Sequence, residues 1–152
     1  MEVKFYDTVN DELLKFAVII SQSNGKWVFC KHKERDTFEV PGGHRETGEK
    51  IEDTAVRELK EETGLDLLDV NNDYTIEKTY ISPGMTDESI ALVFCTCDGE
   101  LNKDGLEDDE DIEAILVSVE EAKEILKSKE KMDVKAFLML QNFVLLGDKI
   151  FV

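Results

Sequence analysis

Four charged side chains fall within one short segment that has the pattern of the last turns of a helix: Arg57, Glu58, Glu61 and Glu62. Positions three and four apart lie side by side on a helix, so the three carboxylates form one negative patch. Like charges at this spacing destabilise a helix, and carboxylates near its C-terminal end also oppose the helix dipole. Arg57 can pair with one carboxylate, which leaves a surplus of negative charge.

Hard oxygen ligands that converge on one point suit Mg²⁺ or Mn²⁺, and Mg²⁺ commonly combines a few carboxylates with water and substrate phosphate oxygens. The patch is therefore a candidate platform for a metal ion and a phosphate-bearing substrate. A solvated acidic helix face is the alternative, because 35 Asp and Glu against 18 Lys and Arg give the chain a net charge of −17. Helix geometry alone leaves both interpretations open.

The same charge balance argues against a nucleic-acid backbone or an anionic membrane as the main partner. The sequence has no apolar run of membrane-spanning length, and residues 1–5 lack the basic and apolar pattern of a signal peptide. We therefore expect a cytoplasmic protein without a membrane segment. The three cysteines lack the spacing of a metal site. We therefore expect reduced thiols that are buried in the core like other small apolar side chains.

The strands and helices that position the carboxylate patch are predicted to form an α+β fold. The length fits one domain over residues 1–152, and no composition change marks a boundary. Asn24-Gly25 predicts a hairpin turn between the first two strands. We expect a mixed sheet with strands over residues 16–21, 26–31, 37–40, 74–82, 88–97 and 112–118.

Apolar periodicity predicts three helices. The first covers residues 50–63 and ends at Gly64, with Ile51, Ala55 and Leu59 on one face. The second runs from Ser118 to about residue 127, with Ser118 and Glu121 as a capping box. The third covers residues 132–146, and its apolar stripe is expected on the sheet: Val134, Phe137, Leu138, Gln141, Val144 and Leu145.

Residues 43–65 contain a longer pattern, Gly43-His44-Arg45-Glu46-Thr47-Gly48-Glu49, then seven residues, then Arg57-Glu58-Leu59-Lys60-Glu61-Glu62-Thr63-Gly64-Leu65. This segment resembles the Nudix box, G-x5-E-x7-R-E-U-x-E-E-x-G-U with U aliphatic, and matches it at every specified position. The resemblance implies an α/β/α sandwich with a mixed sheet between helices. It also implies Mg²⁺-dependent hydrolysis of a nucleoside diphosphate linked to another group, a small-molecule substrate.

The resemblance also assigns roles to positions. Glu58 and Glu62 are implied as main metal ligands, with Glu61 binding metal directly or through water. The carbonyl of Gly42 is a further implied ligand. Arg57 is expected to orient a carboxylate of this group, and Glu49 to brace the loop before the helix.

The general base has two candidate sources. One is Glu61 or Glu62 within the box. The other is the acidic run of residues 106–111, which resembles the region where ADP-ribose pyrophosphatases carry a catalytic or metal-binding glutamate. Glu110 is the first choice there, and Glu107 the second.

Substrate cues conflict. Ser82-Pro83-Gly84 resembles ADP-ribose pyrophosphatases, whereas residues 26–41 resemble small Nudix enzymes that act on nucleoside triphosphates, including oxidised ones. Arg35, Lys31, His32 and Lys33 could contact phosphates, although solvated loop charges are the simpler interpretation.

Trp27 and Phe38 could stack on a base, but core packing is expected for both. Neither histidine is assigned a catalytic role. A Nudix-like domain that senses a nucleotide without hydrolysing it is the alternative class, and the sequence leaves the oligomeric state open.

Overall fold

The computed structural model describes residues 14–86, 88–108 and 110–151, so residues 1–5, considered above for a signal peptide, lie outside it. No helix in these ranges is long and apolar enough to cross a membrane. The elements, in chain order, are β1 (Phe16–Ser23), β2 (Lys26–His32), β3 (Thr37–Glu39), β4 (Gly42–His44), α1 (Ile51–Thr63), β5 (Asp66–Val70), β6 (Ile76–Tyr80), β7 (Ser89–Asp98), β8 (Ile112–Val117), α2 (Val119–Ser128), α3 (Val134–Leu146) and a 3₁₀ helix (Gly147–Phe151).

The strands form one mixed sheet with β1 near its centre. β1 pairs in parallel with β7 and antiparallel with β2 and β4. β3 and β8 both pair with β2, while β5 and β6 both pair with β7. The predicted α+β fold with a mixed sheet between helices is confirmed, and so is the Asn24-Gly25 hairpin, in which both residues have positive φ.

Alternating side chains of the strands face two separate cores. On one face, Ala17, Ile19 and Val28 pack with Leu59 of α1. On the other face, Trp27 is 1% exposed and stacks on Phe143 of α3, with ring centroids 4.7 Å apart. α1 therefore covers one side of the sheet, and α2 and α3 cover the other.

The first helix forms as predicted. Ile51, Ala55 and Leu59 are buried, which fixes the helix face that lies on the sheet. Gly64 ends the helix with φ 80°, and its N–H donates to the carbonyl of Lys60. Because this face is fixed, Glu58 and Glu62 lie against β4, where they meet Gly43 and Gly42.

The second helix also begins as predicted, since Ser118 and Glu121 form the capping box, and it ends one residue later, at Ser128. The third helix begins at Val134, with the Asp133 carboxylate accepting the N–H of Ala136 at 2.7 Å.

The predicted sheet-facing stripe of α3 is wrong. Ala136, Leu140 and Phe143 are the buried positions. Of the predicted stripe, only Val144 packs against the core from a partly buried position; Gln141 is exposed, as are the apolar side chains Val134, Phe137, Leu138 and Leu145. Because the helix is apolar on almost every side, its periodicity does not single out one face.

Two strands were not predicted. β4 contains two glycines, which are poor strand formers, and it exists because it pairs with β1. β5 is a half-exposed segment with two acidic residues that pairs with β7 through an irregular register. The predicted strand over residues 74–82 is shorter than expected, covering only Ile76–Tyr80.

The predicted burial of the cysteines is confirmed: Cys30, Cys95 and Cys97 are free thiols within the sheet.

Candidate active site

A cleft of about 610 Å³ opens between α1, β4, the ends of β2 and β3, and the loop that follows β7 (its described residues 99–108 and 110–111, here the 99–111 loop). Acidic side chains outnumber basic ones two to one among its described lining residues. The acids are Glu39, Glu46, Glu58, Glu61, Glu62, Glu107, Glu110 and Asp133, and the bases are Arg35, Arg45, Arg57 and Lys135. An anionic phosphate would be repelled here unless cations entered with it.

Arg57 is the centre of an ion-pair network on the α1 side. Its Nε lies 2.9 Å from Glu49, and its Nη1 lies 2.8 Å from both Glu58 and Glu61. Its Nη2 donates to the carbonyl of His44 at 2.9 Å. The expectation that Arg57 pairs with one carboxylate is therefore corrected to three, because the guanidinium fork can serve several acceptors at once.

Glu58 is buried under β4. A Cβ atom at Gly43 would lie only 2.1 Å from the Glu58 carboxylate, so a side chain at that position would displace the carboxylate from its present place. Burial raises the pKa of Glu58, and the adjacent Arg57 opposes that rise. The carboxylate is thus held in place by packing on one side and by charge on the other.

Glu62 faces away from Arg57. Its Oε2 accepts the N–H of Gly42 at 3.0 Å and lies 4.0 Å from the Cys30 Sγ. Burial raises the pKa of Glu62 to about 8, and the negative charges of Glu58 and Glu110 add to the rise. The Gly42 N–H lowers it only in part. Among the described residues this buried carboxylate has no cationic partner, and a bound cation would stabilise it.

Glu49 links the loop before α1 to the helix. It accepts hydrogen bonds from Arg57, from the Thr54 hydroxyl at 2.8 Å and from the Glu46 N–H at 3.0 Å. The hydrogen bonds from Arg57, with those from Glu46 and Thr54, lower the pKa of Glu49 to about 2. The position agrees with the expected brace for this loop.

The 99–111 loop is docked on the C-terminal half of α1. The N–H of Asn102 donates to the carbonyl of Thr63 at 3.1 Å. A Cβ atom at Gly105 would lie 2.6 Å from the Cα of Glu61, so the two backbones touch. Beyond this contact, Glu107 and Glu110 line the cleft, and the Glu110 carboxylate accepts the Glu107 N–H at 3.1 Å.

The carboxylates of the box fit a divalent cation in the kind of donor atoms they offer. Among the described residues, no three Asp, Glu, His or Cys groups are already grouped as a metal site. Arg57 contacts one oxygen of Glu58 and one of Glu61, which leaves the second oxygen of each carboxylate outside that contact. With Glu62, they offer the hard oxygen donors that Mg²⁺ and Mn²⁺ prefer.

Several other residues considered in the sequence lie away from the cleft. Ser82-Pro83-Gly84 forms a turn in which the Ser82 carbonyl accepts the N–H of Met85 at 2.9 Å, and it does not line the cleft. Trp27 and Phe38 are buried in the core, which confirms the packing prediction. Lys31 pairs with Glu130 at 3.0 Å.

Arg35 does line the cleft, yet its guanidinium is paired with Glu39 through two contacts of 3.1 and 3.0 Å.

The sequence interpretation missed Cys30 and Glu39 in the cleft floor and named His32 only among possible phosphate contacts. Cys30 and His32 of β2 lie beside Glu39 of β3, and all three line the cleft. The available signal was the alternation along β2, since residues 28, 30 and 32 share the face of the sheet that carries α1.

Comparison with known proteins agrees with this geometry. The sequence model of the NUDIX domain matches residues 12–140. The chain belongs to the Nudix family, and it is a Nudix hydrolase that acts on pyrophosphate bonds.

Among its relatives, the ADP-ribose pyrophosphatase of Bacillus subtilis is 35% identical over 136 residues, which are 82% of this chain and 69% of that enzyme. The methanol dehydrogenase activator of Bacillus methanolicus is 34% identical over 74% of this chain and 60% of its own length. The putative 8-oxo-dGTP diphosphatase YtkD of B. subtilis is 38% identical over 64 residues, 42% of this chain and 40% of its own length.

Solved structures show the same fold. A NUDIX-family hydrolase from Clostridium perfringens superposes with a TM-score of 0.63 at 18% identity, over 86% of this chain and 95% of that one. A MutT structure from a comparison of Aliivibrio salmonicida and Vibrio cholerae has a TM-score of 0.58 at 16% identity. The match covers 87% of this chain and 97% of that one.

Proposed function

We propose that the chain is a Mg²⁺-dependent pyrophosphohydrolase that cleaves the diphosphate bridge of a nucleoside diphosphate linked to another group, with ADP-ribose as the leading substrate. The observation that carries the proposal is the charge of the cleft. Acidic groups line it in twofold excess, and the buried Glu62 carboxylate has no cationic partner among the described residues. A diphosphate enters such a cleft together with cations that neutralise both sides.

In this proposal, Glu58 and Glu62 hold the metal, with Glu61 binding it directly or through water and the Gly42 carbonyl as a further ligand. The bound ion supplies charge neutralisation for the diphosphate and for the leaving group. Arg57 is a positioning residue, because it touches Glu58 and Glu61 and fixes where their oxygens lie. Mn²⁺ is a chemically reasonable substitute.

For the general base, we propose Glu110, with Glu107 second and the box residues Glu61 and Glu62 as the alternative source. Support comes from the 99–111 loop, which carries Glu110 to the cleft and close enough to Glu62 to raise the pKa of that residue. A base placed on the loop leaves the box carboxylates available for metal, so the two tasks fall to different elements.

ADP-ribose is favoured by the extent of the similarity. The B. subtilis relative named as an ADP-ribose pyrophosphatase aligns over most of this chain, whereas the relative named as a putative 8-oxo-dGTP diphosphatase aligns over less than half. A nucleoside triphosphate is the second candidate, because its hydrolysis uses the same carboxylates and cations.

The experiment is a product analysis. Purified protein is incubated with Mg²⁺ or Mn²⁺ and, in parallel, with ADP-ribose, nucleotide sugars, dinucleoside polyphosphates and nucleoside triphosphates, and the products are identified by chromatography. We expect AMP and ribose 5-phosphate from ADP-ribose, with no turnover in EDTA.

If only a nucleoside triphosphate is hydrolysed, to monophosphate and pyrophosphate, the triphosphate would replace ADP-ribose as the proposed substrate. Tight nucleotide binding without turnover of any substrate would favour the nucleotide-sensing class instead.

A further inference from the structure

His32 is a polar side chain set into the floor of the cleft. It is only 8% exposed, and it lines the cleft. It ends β2, on the face of the sheet that carries Cys30 and α1. The box does not include it, and the proposed metal and base chemistry does not use it.

The turn after β2 fixes the position of the imidazole proton. The backbone N–H of Arg35 donates to Nδ1 of His32 over 3.3 Å, so Nδ1 is the acceptor. In a neutral imidazole one nitrogen accepts and the other carries the hydrogen, so the hydrogen lies on Nε2. Within the described part of the chain, no residue forms a hydrogen bond with Nε2.

The strand also sets the spacing between His32 and Cys30, the strand residue that contacts Glu62. Cys30 lies against Glu62, and His32 is two residues further along the same strand, which corresponds to about 7 Å. A group at this distance would meet the part of a substrate that extends beyond the metal-bound diphosphate. Arg35 and Glu39, paired with each other, stand beside it and hold the turn in place.

We propose that His32 is a substrate-binding residue whose Nε2–H donates a hydrogen bond to an acceptor oxygen of the group linked to the diphosphate, such as the distal ribose of a nucleoside diphosphate sugar. This inference rests on the proposed function for the orientation of the substrate. The imidazole of His32 is buried beside the cleft, and its tautomer is fixed by the Arg35 N–H. These two observations identify Nε2–H as a donor whichever substrate binds.

The kinetic test uses His32→Leu, which removes the donor, and His32→Gln, which keeps an N–H donor. Glu34→Gln is the matched control, because Glu34 is exposed on the same turn and does not line the cleft. We expect His32→Leu to raise KM for ADP-ribose by about threefold to tenfold with little change in kcat, the effect of losing one neutral hydrogen bond. His32→Gln should recover most of that loss.

A physical test does not depend on turnover. The chain has two histidines, so ¹⁵N NMR of the imidazoles, with His44→Gln for assignment, reports the tautomer of His32 directly. We expect hydrogen on Nε2, and a shift of that resonance when ADP-ribose is added with Ca²⁺ in place of Mg²⁺.

A proton on Nδ1, or a His32→Leu variant with the KM of the Glu34→Gln control, would overturn the inference. So would an Nε2 resonance that stays unchanged at saturating ADP-ribose. Absence of turnover in the wild-type enzyme with every substrate would instead count against the proposed function, since the tautomer and the binding shift are read without hydrolysis.

Discussion

The α1 side of the cleft is held together by charged side chains, whereas the opposite side, apart from the Arg35–Glu39 ion pair, is held mainly by contacts of the main chain. On α1, Arg57 joins Glu49, Glu58 and Glu61 through charged hydrogen bonds of 2.8–2.9 Å. On the other side, the Gly42 N–H meets Glu62, and further contacts come from the turn after β2 and the 99–111 loop. The first set depends on side-chain identity, and the second depends on how closely main chains approach.

The difference explains which changes each side should tolerate. Removal of the Arg57 side chain from α1 frees three carboxylates at once, since one guanidinium serves them all. On the strand-and-loop side, an added Cβ atom is more disruptive than a lost functional group. Five substitutions test this contrast.

Glu62→Gln should have the largest effect, because Glu62 is proposed as a metal ligand and joins the two sides. We expect a loss of kcat of at least about a hundredfold, beyond the range found for residues that only orient ligands. Retained activity with a folded protein, checked by circular dichroism, would remove Glu62 from the site.

The same variant should be more stable than the wild type, although it is less active. The folded-state pKa of Glu62 is about 8, above its ordinary value of 4.5, so its contribution to stability is lost as the pH rises through that range. In EDTA at neutral pH, Glu62→Gln should therefore unfold at a higher temperature than the wild type, with the gain shrinking as the pH is lowered toward 4.5. An unchanged or lower Tm in scanning calorimetry would contradict the assigned burial penalty.

Arg57→Ala should follow in magnitude. It leaves Glu58 buried beside Glu61 without a shared cation, and we expect Mn²⁺ affinity to fall by about tenfold to a hundredfold. Titration followed by electron paramagnetic resonance measures this directly. Lys60→Ala is the control, since Lys60 lies on the same helix but pairs with Asp66 and the Gly64 carbonyl. Equal affinities in the two variants would show that the Arg57 network is dispensable.

Gly105→Ala tests the backbone-held side. The new Cβ would lie 2.6 Å from the Cα of Glu61, so the 99–111 loop must shift and displace Glu110. We expect kcat/KM to fall by about tenfold or more, as for small displacements of catalytic groups. Asp104→Ala, an exposed neighbour in the same loop, should leave the rate unchanged. If the Gly105→Ala variant matched this control, Glu110 would not be the base.

Glu49→Gln should act mainly on stability. Arg57 holds the pKa of Glu49 at about 2 in the folded protein, below its ordinary value of 4.5. The stabilisation is therefore complete above 4.5 and is lost as the pH falls toward 2. Urea unfolding should show the variant to be less stable than the wild type at neutral pH, with a difference that narrows below about pH 4.5. A constant difference across this range would exclude the ion pair as its cause.

Ser82→Ala should have the smallest effect, because the Ser82-Pro83-Gly84 turn lies outside the cleft. We expect unchanged kcat and KM for ADP-ribose. A clear loss would indicate that this turn reaches the cleft of a second copy of the chain, which analytical ultracentrifugation would then detect.

The α1 side of the cleft could be predicted from the sequence because the residues that build it lie close together in the chain. Ile51, Ala55 and Leu59 set the buried face, Gly64 ends the helix, and the spacing of Arg57 and the glutamates then follows from helix geometry. The Nudix box adds the chemistry to the same segment. These features are therefore predicted with both their place and their orientation.

The other side could not be predicted to the same degree, since its contacts join distant parts of the chain. Gly42 meets Glu62 twenty positions away, and Gly105 meets Glu61 at more than twice that separation. β4 is a strand only because β1 lies beside it, and its glycines give no local signal. α3 shows the same limit for packing, since a helix apolar on most sides does not specify which side is buried.

Trp27, stacked on Phe143 and edge-on to Phe151 on the side of the sheet away from the cleft, is the only tryptophan in the chain. Intrinsic fluorescence excited at the indole therefore monitors the layer formed by α3 and the C-terminal 3₁₀ helix. Nucleotide and metal titrations should leave this emission nearly constant, while detachment of that layer should change it. The protein thus carries a built-in optical reporter that separates unfolding from ligand binding.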